Sequence, residues 1–239
     1  MKKVEICLSP ELLHLYDIKD KNVVIVDIFR ATSTMMAALA NEVISITPVL
    51  NLESCRLLEK DGYVIAGERD GKTAEGFSLG NSPLAYLEKK FSGKKIAMTT
   101  TNGTVAIEKT KSFAKNIILG AFVNLSSTAE YLISLEGDVL ILCAGWKGKF
   151  NLEDSLFAGA LVSNLHPHFE TDCDTSIAMR ALYEGNEHRM RIFMGQASHA
   201  KRLQNHNIEA DIDFCLSQNI YDFIGILKDG KLISQKIEN

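Results

Sequence analysis

Asp27 closes the apolar run Val23–Val26, and Arg30, Thr32, Ser33 and Thr34 follow at the start of an Ala- and Met-rich stretch. A carboxylate in that place can hold a cation, while an arginine and the first amides of a helix can hold an anion. Helix caps use the same residue types, so this segment alone supports a ligand crevice and a plain helix start about equally. A second polar segment, GERDGKTAEGFSLGNSP over 67–83, follows the apolar run YVIA. It sets Glu68, Asp70 and Glu75 around Arg69, between Gly67, Gly71, Gly76 and Gly80. Carboxylates on such a loop suit a hard divalent ion bound through oxygen, as Mg²⁺ prefers. Polar Gly-rich loops are commonly solvated surface, but one this long inside a compact chain is more often a working loop than a spacer.

A third segment, MTTTNGT over 98–104, ends the run that begins GKKIA. Its hydroxyls, with Asn102, Gly103 and successive backbone N–H groups, make an uncharged anion cradle. A fourth, AGWKGKFNLEDS over 144–155, follows DVLILC. Lys147 and Lys149 could meet a second anionic group there. Glu153 and Asp154 open a helix, where acids ordinarily complement the dipole. Four polar loops, each after an apparent strand, converge if those strands are parallel.

The elements that position these loops are legible as short β-branched runs at 4–8, 23–28, 43–48, 63–66, 95–99, 116–119 and 138–143. Runs without polar alternation belong to strands covered on both faces. Between them, 32–41, 52–61, 124–135 and the stretch after Asn81-Ser82-Pro83 read as helices. From Leu152 the chain turns helical, and DFIGILKDGKLISQKI reads as a strand, a turn and a second strand. The expectation is an α/β fold: a largely parallel or mixed central sheet with helices on both faces, a C-terminal helical elaboration and a terminal β-hairpin. A single domain over 1–239 is expected, with 152–239 as a candidate sub-lobe. The apolar hairpin is expected at a sheet edge, available for pairing.

Composition excludes several classes. The chain has 239 residues, 26 Lys+Arg against 30 Asp+Glu, and a formal charge of −4. With no long basic run, affinity for nucleic acid through phosphate neutralisation finds no support. No apolar stretch is long enough for a membrane helix, and MKKVEICLSP does not read as a secretory signal. The five cysteines are scattered without a C-x-x-C pair, so a cytoplasmic, reduced protein is expected. There is no P-loop, no Cys followed six positions on by Arg, no Asp-x-Asp at Asp27 and no G-x-S-x-G elbow. His166 and His168 neighbour no acid cluster and read as a helix end rather than zinc ligands.

VDIFRATST, GERDGKTAEGFSLGNSP, TTTNGT and GWKGKFNLED, in that order, resemble the successive signature blocks of the 2-phosphosulfolactate phosphatase family. SHAKRLQNHNIEADIDFC resembles its C-terminal block, so the likeness covers nearly the whole chain. The resemblance implies a phosphoric monoester hydrolase with Mg²⁺ as cofactor, converting (2R)-2-phospho-3-sulfolactate to 3-sulfolactate and phosphate. It also implies a homodimer. That reaction belongs to coenzyme M biosynthesis in methanogens, although bacteria that make no coenzyme M also carry family members. A non-catalytic or differently specific sulfonate- or phosphate-binding protein of the same fold is the alternative.

The residues expected to carry the reaction are Asp27, Arg30 and Glu68. Asp27, Glu68 and Asp70 are expected to bind metal, with Glu75, Glu153 and Asp154 in reserve. Arg30, Ser33, Arg69, Thr100, Thr101, Asn102, Gly103 and Lys147 are expected to bind substrate. Both direct water attack and an aspartyl-phosphate on Asp27 are compatible with this set.

Overall fold

A computed structural model describes every residue except 70, 205–208 and 238–239. Among the described residues eleven strands form one sheet: β1 Lys2–Cys7, β2 Asn22–Val26, β3 Ser45–Pro48, β4 Val64–Arg69, β5 Lys72–Thr73, β6 Lys95–Thr99, β7 Asn116–Gly120, β8 Val139–Cys143, β9 Phe169–Glu170, β10 Phe223–Lys228 and β11 Lys231–Lys236. They lie in the order β5-β4-β6-β3-β11-β10-β7-β2-β8-β1-β9. Every residue of β2 and β8 is buried, which is why these strands lack polar alternation.

The sheet has two parallel parts, β7-β2-β8-β1-β9 and β3-β6-β4. Between them sits the C-terminal hairpin, antiparallel to β7 through β10 and to β3 through β11. The hairpin is therefore central, and the expectation of a free edge is corrected. The cause lies in its composition: Phe223, Ile224, Gly225 and Ile226 are all buried, and a Cβ on Gly225 would stand 2.9 Å from Leu119 Cδ1 and 3.0 Å from Met36 Sδ. Residues that need cover on both faces cannot form an outer strand. The actual edges are the two-residue strands β5 and β9, short as edges usually are.

Three successive antiparallel pairings separate β7 from β3, so the two parallel parts run in opposite senses. Yet the segments after β2, β4 and β6 meet around Asp27. The loops thus converge without all their strands being parallel.

The helices are α1 Ala31–Ala40, α2 Leu52–Glu59, α3 Gly103–Thr110, α4 Leu125–Ser134, α5 Leu152–Leu165, α6 Asp174–Glu184, α7 Met190–Met194, α8 Ser198–Gln204 and α9 Glu209–Leu216. The stretch after Ser82 forms two short 3₁₀ turns, Pro83–Tyr86 and Lys89–Phe91, instead of the expected helix. Tyr86 is fully buried there and its hydroxyl donates to Gly80 O at 2.9 Å, which ties the turn inward. α1 and α5 are buried nearly all round and therefore lack a polar face. At Gly159 of α5 a Cβ would lie 1.9 Å from Met179 O, so glycine is what lets α5 and α6 approach.

Candidate active site

Asp27 follows β2 and is 6 % exposed. Its main chain is locked to Thr32: Thr32 N and Oγ1 both donate to Asp27 O, at 2.9 and 3.0 Å. Burial pushes the carboxyl up to about 6, and Glu68 and Glu153 nearby push the same way; His199 and the Ala31 amide pull it back. α3 begins directly against this carboxylate. A Cβ on Gly103 would lie 2.9 Å from Asp27 Oδ2 and 2.9 Å from Ala31 Cβ, so only glycine admits the helix start here.

Glu68, also 6 % exposed, binds two loops at once. Its Oε1 accepts from Gly71 N at 2.6 Å, and its Oε2 accepts from Thr101 N at 3.2 Å and Thr101 Oγ1 at 3.1 Å. Arg30 is buried against Asp211 of α9, and its Nη2 donates to Gly71 O at 3.0 Å. The other Asp211 oxygen accepts from Ser82 Oγ at 2.7 Å. Arg30 is thereby oriented by a helix more than 180 residues away in sequence, leaving further guanidinium N–H groups for an anion. Arg69 donates to Glu68 O at 2.6 Å and Thr99 Oγ1 at 3.2 Å, bracing the end of β4 on β6.

The opening of α5 supplies two more buried carboxylates. Asp154 Oδ1 accepts from Ile28 N at 2.9 Å, and Oδ2 accepts from Gly145 N at 3.1 Å, joining the loops after β2 and β8. Burial raises its pKa well above the ordinary carboxylate range, with Glu153 and Asp27 adding to the rise. Glu153 Oε1 lies 2.6 Å from His199 Nδ1, while its Oε2 is buried without a partner among the described residues. The His199 ring stands edge-on to Phe29, with centroids 6.1 Å apart, and 5.4 Å from Trp146.

The remaining expected residues divide by placement. Ser33 is fully buried and its hydroxyl donates to Ile28 O at 3.0 Å. Thr100 and Thr104 cap each other, Thr104 N donating to Thr100 Oγ1 at 3.2 Å and Thr100 N to Thr104 Oγ1 at 3.3 Å. Thr101, Asn102 and Lys147 line a cavity of about 210 Å³, together with Ala144 and the segment around Pro10. Glu75 is exposed on the surface, and Asp70 lies outside the described residues. His199, Asp211 and Trp146 are the site neighbours that motif reasoning passed over. Two of them sit on helices whose partners are distant in sequence, so no local spacing marks them.

Among the described residues, no three His, Cys, Asp or Glu side chains close into a ready metal-ligand set. Mg²⁺ does not need one, since it keeps several waters and binds through one or two carboxylates plus substrate phosphate. The donors present fit in kind: they are carboxylate oxygens, the Asp27 pKa is raised by burial and by like charges, and Glu153 Oε2 has no partner among the described residues.

The family model for 2-phosphosulpholactate phosphatase matches residues 7–230, a span that holds every residue named above. The chain belongs to the 2-phosphosulfolactate phosphatase family. A "Probable 2-phosphosulfolactate phosphatase" of Thermotoga maritima is 42% identical over 214 residues, covering 89% of this chain and 92% of that protein. Proteins of the same name from Caldanaerobacter subterraneus and Clostridium beijerinckii are 41% and 35% identical, covering 90% and 96% of this chain. The 2-phosphosulfolactate phosphatase family comprises phosphoric monoester hydrolases. No helix of the described residues is long and apolar enough to cross a membrane.

Proposed function

We propose that this chain hydrolyses (2R)-2-phospho-3-sulfolactate to 3-sulfolactate and phosphate, with Mg²⁺ as cofactor and in the cytoplasm. The observation that carries the reading is Asp27, a buried carboxylate with its pKa raised to about 6, placed against the glycine that opens α3. Asp27 and Glu68 would hold the ion, with Asp70 as the third carboxylate. Bound there, Mg²⁺ would neutralise phosphoryl charge and orient an attacking water.

The protein's own residues do the rest. The Asn102 and Gly103 amides at the opening of α3 present N–H donors and the positive end of a helix dipole to the phosphoryl oxygens. Arg30, oriented by Asp211, grips the same group with its remaining N–H donors. Glu68 holds the loops after β4 and β6 together, so the anion cradle and the carboxylates stay in register. We favour direct water attack; an aspartyl-phosphate on Asp27 is the other route. The stereochemical course at a phosphoryl group made chiral with oxygen isotopes separates them: one in-line displacement by water inverts the configuration, whereas an aspartyl-phosphate that is formed and then hydrolysed retains it.

Phosphate release from synthetic phosphosulfolactate in Mg²⁺, abolished by EDTA, is the expected result. Complete inactivity across phosphorylated three-carbon acids contradicts the reading and leaves a binding protein. A homodimer is part of the proposal, and light scattering at micromolar concentration tests it: a mass of 26.4 kDa is the contrary result.

A further inference from the structure

A line of stacked groups leads outward from the Asp27 loop. Phe29 meets the His199 ring at 6.1 Å, His199 meets Trp146 at 5.4 Å, and the Arg202 guanidinium lies over Trp146 at 4.7 Å. His199 and Arg202 are three residues apart on α8 and so share one face of it. The inner end of the line is satisfied, since His199 Nδ1 pairs with Glu153. The outer end is not. Among the described residues, Arg202 Nη1 donates a long bond, 3.4 Å, to Ser198 Oγ, and Arg202 Nη2 is buried without a partner. A buried guanidinium N–H without an acceptor is costly, and natural proteins keep such groups few. Arg202 lies over the Trp146 ring with Nη2 lacking an acceptor, and a planar fork braced on an aromatic face suits an oxyanion.

We propose that Arg202, laid on Trp146, receives the non-reacting anionic group of the substrate, a carboxylate or sulfonate oxyanion remote from the phosphate ester. The assignment rests on the proposed phosphatase reading for its substrate class, but not on turnover. It makes Arg202 a specificity residue: it selects phosphate esters that carry a second anion and takes no part in phosphoryl transfer. Lys147, whose ammonium lies 5.2 Å from the same ring, adds positive charge at this end of the site.

The chain has one tryptophan, so Trp146 fluorescence reports directly on the proposed contact. The test titrates wild type, Arg202→Ala and Arg202→Lys with four probes in Mg²⁺: 3-sulfolactate, lactate, 2-hydroxypropane-1-sulfonate and inorganic phosphate. Fluorescence and calorimetry are read together. Wild type should bind 3-sulfolactate with a change in Trp146 emission. Arg202→Ala should weaken that binding at least tenfold and abolish the emission change, while phosphate binding stays within twofold. Arg202→Lys, which keeps charge and stem without the fork, should fall between and serves if the alanine variant does not fold. Arg202-dependent binding of lactate alone identifies the recognised group as carboxylate; of the hydroxypropanesulfonate alone, as sulfonate. Sulfolactate affinity within twofold of wild type in both variants overturns the proposal, as does a wild type that binds none of the organic probes. A wild type that binds sulfolactate through Arg202 but releases no phosphate from phosphosulfolactate overturns the hydrolase reading and leaves this one standing.

Discussion

Asp211 shows how a single residue away from the proposed chemistry can govern it. It holds Arg30 with one oxygen and Ser82 with the other, and Asp211 at 2 % exposure and Arg30 at 4 % have no water to fall back on. Asp211→Ala leaves a buried guanidinium without its carboxylate, at a cost on the order of 3–5 kcal/mol of stability. Asp211→Asn keeps the shape and an acceptor for Ser82 but removes the charge. It should melt closer to wild type than the alanine variant, yet lose about tenfold or more in kcat/KM, because Arg30 is no longer oriented. Steady-state kinetics beside thermal melts check this; unchanged kcat/KM in a folded Asp211→Asn removes Asp211 from the positioning role. Asp27 and Glu68 were legible in the sequence because each stands at the end of an apolar run. Asp211 and His199 were not, because their partners lie 181 and 46 residues away and nothing local marks the pairing.

At the scale of elements, the decisive contact is α3 against β2. Gly103 is tolerated at the helix start because a Cβ would meet Asp27 Oδ2 and Ala31 Cβ, both at 2.9 Å. Gly103→Ala should cost about 1–3 kcal/mol through overpacking and should reduce kcat more than it raises KM, since it displaces the carboxylate itself. Chemical denaturation with kinetics on the same preparation measures both. A variant with wild-type stability and turnover shows that α3 and Asp27 are not in contact as described. The sequence identified the strand that ends in TTT and the Asn-Gly start of α3, because turn and cap chemistry are local. It misplaced the C-terminal hairpin, because the hairpin's own residues specify the turn at Asp229-Gly230 but not its sheet neighbours. Strand order is decided by which partners bury both faces, and that is a property of the whole chain.

For the molecule as a whole, burying Asp27 makes stability depend on pH. An unfolded aspartate ionises near 4, whereas Asp27 in the fold is held at about 6 by burial. The folded state therefore binds the proton more tightly, so this residue's contribution is most favourable below about pH 4. That contribution is lost as pH rises toward 6, and the cost is constant above it. The size is about 3 kcal/mol, at roughly 1.4 kcal/mol per pH unit of separation. Asp154, raised for the same reason, works in the same direction. Denaturation of the protein in EDTA should thus show a declining limb between about pH 4 and 6, and Asp27→Asn should flatten it. An unchanged limb in the variant assigns the pH dependence to other groups.

The central claim is that Asp27 is kept ionised in a buried place, at a cost in stability, because the phosphoryl chemistry requires its charge. One paired measurement tests it most directly: phosphate release from phosphosulfolactate in Mg²⁺, and thermal melting in EDTA at pH 7, for wild type and Asp27→Asn. The account predicts a variant that melts higher than wild type and turns over about a thousandfold more slowly, a barrier increase of roughly 4 kcal/mol. An Asp27→Asn protein with near-wild-type turnover, or one that is both inactive and less stable, contradicts it.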